Sequence, residues 1–304
     1  MAREADFISA LRTIATHPAA RGLTDDAAVW GDLVITHDMI AEGVHYLRSD
    51  PPADVAWKLL AVNLSDLAAK GAKPLAVLMG YALTGDAAWD AAFVEGLHAA
   101  LAAFDVALFG GDTVALPAGA PRVLGLTAIG TGGARVPARS GAQAGDAIYV
   151  TGTIGDAGLG LRVAQNEGEA GELLTAYRRP TPQLAAGQML APIVTAMMDV
   201  SDGLLIDAAR MAEASGALFE IVLDAVPLSA AYRAQKGEQR AARMTAATAG
   251  DDYQLLFTTS AALPTLDCPV TRIGQVKRGE GLVVSDSAGA VPLPDTLGWE
   301  HKSV

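Results

Sequence analysis

Cysteine is almost absent: Cys268 is the only one among 304 residues, so no intrachain disulfide and no thiolate zinc site can form. A reducing compartment fits that composition, and a cytoplasmic protein is expected. Basic side chains are also scarce, with 22 Lys and Arg against 34 Asp and Glu and a formal net charge of −12. Nucleic acid and anionic membrane surfaces need clustered Lys and Arg to displace counterions, so both are excluded as partners. No apolar run reaches the ~18 residues of a membrane-spanning helix. The N-terminus carries Glu4 and Asp6 among its apolar residues, so no signal peptide is expected. The five histidines lack the H-E-x-x-H spacing of a zinc protease. The chain also lacks G-x-x-x-x-G-K-[ST], the kinase H-R-D and D-F-G signatures and a complete G-x-G-x-x-G. If phosphates bind here, something other than a familiar phosphate loop must neutralise them.

What the chain does have is apolar residues at 51% and a charged fraction of only 18%. At this length two domains are expected, each able to bury its own core. Strand and helix patterns alternate, which predicts an α/β or α+β fold. Strands are predicted over 33–40, 75–83, 106–109, 122–129, 147–151, 197–200, 219–223, 253–258 and 271–276. Helices are predicted over 5–15, 54–70, 87–104, 158–166, 183–190 and 203–214. A Gly- and Arg-bearing stretch, 130–145, separates two halves of similar size and sets a boundary between domains 1–140 and 141–304.

The acidic residues carry the chemistry. In helix 54–70, Val55, Leu59 and Val62 mark a core-facing stripe, and the next residue on it is Asp66. A carboxylate there is costly unless it pairs with a cation, such as Lys58 or Lys70, or ligates a metal. Asn63, one turn earlier, extends the polar patch. In strand 33–40, period-2 alternation puts Thr36 and Asp38 on one face and His37 on the other. Asp199 closes strand 197–200, and the Ser201-Asp202-Gly203 that follows reads equally well as an N-cap or as a ligand set. Asp26 precedes the first of these strands. Gly110-Gly111-Asp112-Thr113 reads as a turn after strand 106–109. Asp26, Asp38, Asp66, Asp112, Asp199 and Asp202 are hard oxygen ligands without His or Cys, the set that suits Mg2+ with phosphates and water completing the shell. The glycines of 152–160 follow a strand and open a helix; they serve the turn itself or face a phosphate.

Taken in order, DDAAV (25–29), ITHDMIAEGVHY (35–46), AWKLLAVNLSDLAAKGAKP (56–74), FGGDT (109–113), RSGAQAGDAIYVTGTIGDAGLGL (139–161), DVSDGLLIDA (199–208) and AGDDYQLLFT (249–258) resemble the thiamine-monophosphate kinase family. That family lies in the superfamily of aminoimidazole ribonucleotide synthetase, selenophosphate synthetase and a hydrogenase maturation factor. The resemblance implies a two-domain α/β fold, a β-rich first domain that forms a homodimer through its strands, and ATP-dependent phosphorylation of thiamine monophosphate with several Mg2+ ions. It further implies Asp26, Thr36, Asp38, Asp66, Asp112, Asp199 and Asp202 as metal ligands, with Asp38, Asp66 and Asp199 catalytic through the metal. Phe104, Gly111, Asp112, Arg139 and Ser201 would contact ATP, and His45, Asp251 and Trp299 the thiamine phosphate. Three positions depart from the family pattern: His37 replaces a small hydroxyl residue, Asp251 a Glu, and Trp299 a Tyr. Other ATP-using members of the superfamily, or a non-catalytic nucleotide-binding relative, are the alternatives. Selenophosphate synthetases usually carry a reactive Cys near the N-terminus, whereas Cys268 lies near the other end.

The implied reaction suits the residues. A phosphate acceptor has its second pKa near 6, so its oxygen is already ionised at neutral pH and no general base is required. The obstacle is repulsion between anions, which bound cations and Arg139 would relieve during direct in-line transfer without a phosphoenzyme. Trp299 offers an aromatic face to the thiazolium. Asp251 either complements that charge or accepts from the aminopyrimidine.

Overall fold

The computed structural model describes residues 4–117, 119–165 and 171–300. The end of predicted helix 158–166 and the tail 301–304 lie outside the described residues. In the first half, helix α1 (Glu4–Arg12) precedes β1 (Ala28–Trp30), β2 (Leu33–Ala41), α2 (Pro52–Ala69), β3 (Lys73–Leu83), α3 (Ala87–Phe104), β4 (Ala107–Ala115) and β5 (Val123–Thr131). The second half runs through β6 (Ala147–Thr151), α4 (Asp156–Ala164), α5 (Glu172–Arg178), α6 (Leu184–Leu190), β7 (Ala196–Asp199), α7 (Leu204–Ser215), β8 (Leu218–Val222), α8 (Ala230–Lys236), α9 (Arg240–Ala247), β9 (Leu255–Thr259), β10 (Val270–Lys277), β11 (Gly281–Asp286) and β12 (Gly289–Val291).

The first five strands form one sheet in the order β1-β2-β5-β3-β4, and the other seven a second in the order β12-β11-β8-β10-β6-β9-β7. Both are mixed, because β3 pairs in parallel with β4 and β11 in parallel with β8 while the remaining neighbours are antiparallel. This is a two-domain α/β architecture with helices packed on each sheet. Among the described residues no helix is long and apolar enough to cross a membrane.

Helix α2 holds the halves together. Its predicted stripe Val55, Leu59 and Val62 is buried against the first sheet, but so are Ala56, Leu60, Ala61, Ala68 and Ala69 around the other sides. A helix apolar all round is a buried helix, and here the further faces meet the second half. Ala68 and Ala69 share a cluster with Leu190, Val194, Met197 and Phe257. The approach is close enough that a Cβ on Gly187 of α6 would stand 2.0 Å from the Ala68 carbonyl oxygen. This packing places the C-terminal half of α2 between the end of β2 and the end of β7, and so places every carboxylate that matters.

One sequence expectation is corrected. Residues 110–113 are not a turn after a short strand, for β4 continues through them to Ala115. Gly111 makes that possible: it packs so tightly on β3 that a Cβ would lie 1.8 Å from the Met79 carbonyl oxygen, a distance no side chain tolerates.

Candidate active site

Four elements converge on one acidic centre. Asp26 enters from the loop before β1, Thr36 and Asp38 from β2, Asp66 from α2 and Asp199 from the last residue of β7. Carboxylate oxygens of Asp26, Asp66 and Asp199 all lie within 4.8 Å of one another. The strand alternation holds, since Thr36 and Asp38 turn inward while His37 is exposed and meets Thr127 Oγ1 at 2.9 Å. Thr36 Oγ1 donates to Asp66. Ser65 Oγ donates to Asp199 Oδ2 at 2.5 Å, and Asn63 Oδ1 accepts from the Asp38 amide at 2.9 Å. Asp66 is not paired with a lysine: Lys70 binds Asp25 and Asp26, and Lys58 binds Asp251. Among the described residues neither Asp66 nor Asp199 has an ion-pair partner.

The electrostatics follow from that asymmetry. Burial opposes the charge on Asp26, but Lys70 and Arg139 outweigh it and hold the carboxyl below its ordinary pKa. Burial pushes Asp38 up to about 6, with the charges of Asp26 and Asp202 acting in the same sense. Asp66 rises well above the usual carboxylate range through burial and the charges of Asp38, Asp199 and Asp26, against the Thr36 hydrogen bond. Asp199 rises likewise through burial and Asp26, against the Ser65 hydrogen bond. One carboxylate is therefore neutralised by cations of the chain, and three are left wanting either protons or a bound cation. Asp26 Oδ2, 2.7 Å from Lys70 Nζ, accepts no well-aligned hydrogen bond although it is buried. Three clustered carboxylates from separate elements are a donor set for a hard cation. Arg139 pairs with Asp26 through one terminal nitrogen, while its buried Nε has no acceptor.

Past β7 the chain turns through Ser201, Asp202 and Gly203. Neither Ser201 nor Asp202 caps α7; Gly203 occupies the cap position without a side-chain bond. The anchor is Asp207, one turn into the helix, whose Oδ2 accepts from the amides of Ser201, Asp202 and Gly203 at 3.1, 3.1 and 3.2 Å. Burial pushes Asp207 up to about 7, opposed chiefly by Arg210. Arg210 bridges Asp207 Oδ1 at 2.9 Å and Asp202 Oδ2 at 2.5 Å, which fixes the Asp202 carboxylate. The Trp299 amide donates to the Asp202 carbonyl at 2.8 Å, so the half-exposed indole stands beside this loop.

A second group gathers around Lys58 of α2. Its ammonium reaches Asp251 Oδ2 at 2.7 Å and the His45 carbonyl at 2.9 Å. His45 Nδ1 accepts from the Ala41 amide at 3.0 Å, closing the turn after β2. Asp251 Oδ1 accepts from Tyr253 Oη at 2.9 Å, and the Asp251 amide donates to the Ser201 carbonyl at 2.7 Å. Asp251 and Tyr253 have φ of 69° and 50°, which non-glycine residues adopt at a cost of order 1–3 kcal/mol each. That is why β9 begins at Leu255 and not at Tyr253 as the residue pattern predicts.

Other expected residues lie apart from these groups. Gly111 and Asp112 sit on the wholly exposed strand β4, where Asp112 Oδ1 accepts from the Thr113 amide at 2.9 Å. Asp112 is not among the three clustered carboxylates. Phe104 packs against Trp57 with ring centroids 5.1 Å apart. The glycine turn 152–160 already has an acceptor: Asp252 Oδ2 accepts from the Gly155 amide at 2.8 Å at the start of α4. The sequence pattern offered Lys58 only as a partner for Asp66, and gave Tyr253, Asp207 and Arg210 no role. The Asp207–Arg210 spacing of i, i+3 was the one visible signal.

The family models for the N-terminal and C-terminal domains of AIR synthase related proteins match residues 24–132 and 143–287. The thiamine-monophosphate kinase of Salmonella typhimurium is 38% identical over 301 residues, covering 92% of this chain and 90% of its own length. The chain belongs to the thiamine-monophosphate kinase family. The family member of Caulobacter vibrioides is 37% identical over 93% of this chain and 86% of its own. Among solved members of the family, AaThiL complexed with AMPPCP and TMP superposes with a TM-score of 0.87 at 31% identity, covering 99% of this chain and 97% of that one.

Proposed function

We propose that this chain transfers the γ-phosphoryl group of ATP to thiamine monophosphate, giving thiamine diphosphate and ADP by direct in-line displacement. The observation that carries the reading is the convergence of Asp26, Asp66 and Asp199 within 4.8 Å, in a chain whose relative AaThiL was solved with an ATP analogue and TMP. Asp26, Thr36, Asp38, Asp66, Asp199 and Asp202 would hold Mg2+, with Asp112 completing the set from β4. Bound there, Mg2+ supplies charge neutralisation for two anions that must meet.

The chain's own residues do the rest. The Arg139 side chain is 22% exposed and commits one terminal nitrogen to Asp26, so the rest of its guanidinium can meet an ATP phosphate oxygen. Ser201 and Gly111 border the nucleotide, and Phe104 flanks it. On the acceptor side His45, Asp251 and Trp299 meet thiamine monophosphate, with the indole face toward the thiazolium, a contact worth roughly 0.5–2 kcal/mol. No general base is required, because the acceptor phosphate oxygen is already ionised at neutral pH. The homodimer forms through strands of the first domain: β4 is exposed along its length, and Leu108, Phe109 and Val114 offer apolar surface that a second copy would cover.

Incubation with ATP, Mg2+ and thiamine monophosphate, followed by chromatography, tests the reading. Thiamine diphosphate and ADP should accumulate in equal amounts, with none from free thiamine. ATP binding without diphosphate would refute it in favour of another superfamily chemistry.

A further inference from the structure

Lys58 is a deeply buried charge that the reaction does not use, at 2% exposure. An ammonium has three donors, and each is committed: to Asp251 Oδ2 at 2.7 Å, to the His45 carbonyl at 2.9 Å and to the face of Tyr177, 4.2 Å from the ring centroid. Tyr177 is itself fixed, because its hydroxyl donates to Asp50 Oδ2 at 2.9 Å. Nothing remains for a substrate phosphate. Lys58 instead joins α2 and the His45 turn of the first half to α5 and the 249–254 loop of the second.

Its effect falls on Asp251. That side chain is 28% exposed, with Oδ2 on Lys58 and Oδ1 on Tyr253, and a carboxylate has about four acceptor sites, so acceptor capacity remains on its exposed side. Its charge, however, is already matched at 2.7 Å. An ion pair presents little net attraction to a fixed cation, yet its free lone pairs still accept hydrogen bonds.

We propose that Lys58 is a positioning residue of the acceptor subsite, which holds Asp251 as a charge-matched hydrogen-bond acceptor for the exocyclic amine of the substrate's pyrimidine. Asp251 is then not the counter-ion of the thiazolium, whose charge is left to Trp299. The inference rests on the thiamine monophosphate reading above and names which group of that substrate Asp251 reads.

The test is calorimetric binding of thiamine monophosphate without ATP, using the intact chain, K58M, D251N and K58M/D251N, with the KM for ATP measured alongside. Losing the cation beneath a partly buried acceptor should weaken thiamine monophosphate binding about tenfold in K58M, while the KM for ATP stays within about twofold. K58M/D251N should bind more tightly than K58M, because a neutral amide needs no cation. Oxythiamine monophosphate, with oxygen in place of the amine, should bind the intact chain about tenfold more weakly than thiamine monophosphate and lose much of that difference in K58M. Melting temperature without ligand gives a readout independent of substrate: K58M should melt lower than the parent, and the double variant should recover part of the loss. Equal weakening toward ATP and thiamine monophosphate in K58M, or a double variant no better than K58M in binding, would overturn the inference. Failure of the kinase reading would show separately, as no thiamine diphosphate from the unsubstituted chain.

Discussion

Replacing Asp66 by Asn should make the metal-free protein more stable and the enzyme inactive. Asp26, Asp66 and Asp199 oxygens lie within 4.8 Å of one another, so each fully ionised pair repels by about 3–4 kcal/mol at an effective dielectric near 20. Proton uptake relieves part of this, which is why burial and the neighbouring carboxylates raise Asp66 and Asp199. The amide keeps an acceptor for the Thr36 hydroxyl while removing the charge. A net gain of about 1–2 kcal/mol is expected at pH 8, which for domains of this size raises Tm by roughly 2–8 °C. Thermal unfolding in EDTA and in Mg2+ measures it. Asp66→Asn should melt higher than the parent in EDTA, gain little from Mg2+ and lose turnover. A lower Tm in EDTA, or an equal Mg2+ response in both proteins, would refute the argument that these carboxylates are held together for a cation.

The same electrostatics fix two further outcomes. Asp38 at about 6, with Asp66 and Asp199 also raised well above the ordinary carboxylate value, means that the folded metal-free chain holds protons that the unfolded chain has released. Their contribution to stability is complete below the ordinary carboxylate pKa and is lost as pH rises through 6 and beyond, so Tm in EDTA should fall on this account between pH 5.5 and 8.5. Mg2+ competes with those protons, and its binding midpoint should tighten over the same range; a flat midpoint would contradict the assignment. Asp207→Ala removes the acceptor of three consecutive amides and one partner of Arg210. Urea denaturation should show a loss of about 2–4 kcal/mol, and a variant within 0.5 kcal/mol of the parent would remove Asp207 as the anchor of the 201–203 turn.

The sequence by itself determined much of the acidic centre. Helical period carried Val55, Leu59 and Val62 forward to Asp66, and strand alternation separated Thr36 and Asp38 from His37, because both patterns are local geometry that a chain cannot evade. The family motifs likewise carried the two-domain α/β fold. Tertiary structure decided which charges meet. Lys70 stands four residues after Asp66 and Lys58 eight before it on the same helix, yet Lys70 turns to Asp25 and Asp26 and Lys58 to Asp251, 193 residues away. Position along a helix says only which side a residue leaves from. The partner is set by what the other half brings there: β7 with Asp199, α5 with Tyr177 and the 249–254 loop with Asp251. The segments 201–203 and 152–160 stayed open in the sequence for the same reason, since Asp207 and Asp252 reach the amides of 201–203 and of Gly155 through packing that no local preference of Ser, Asp or Gly records.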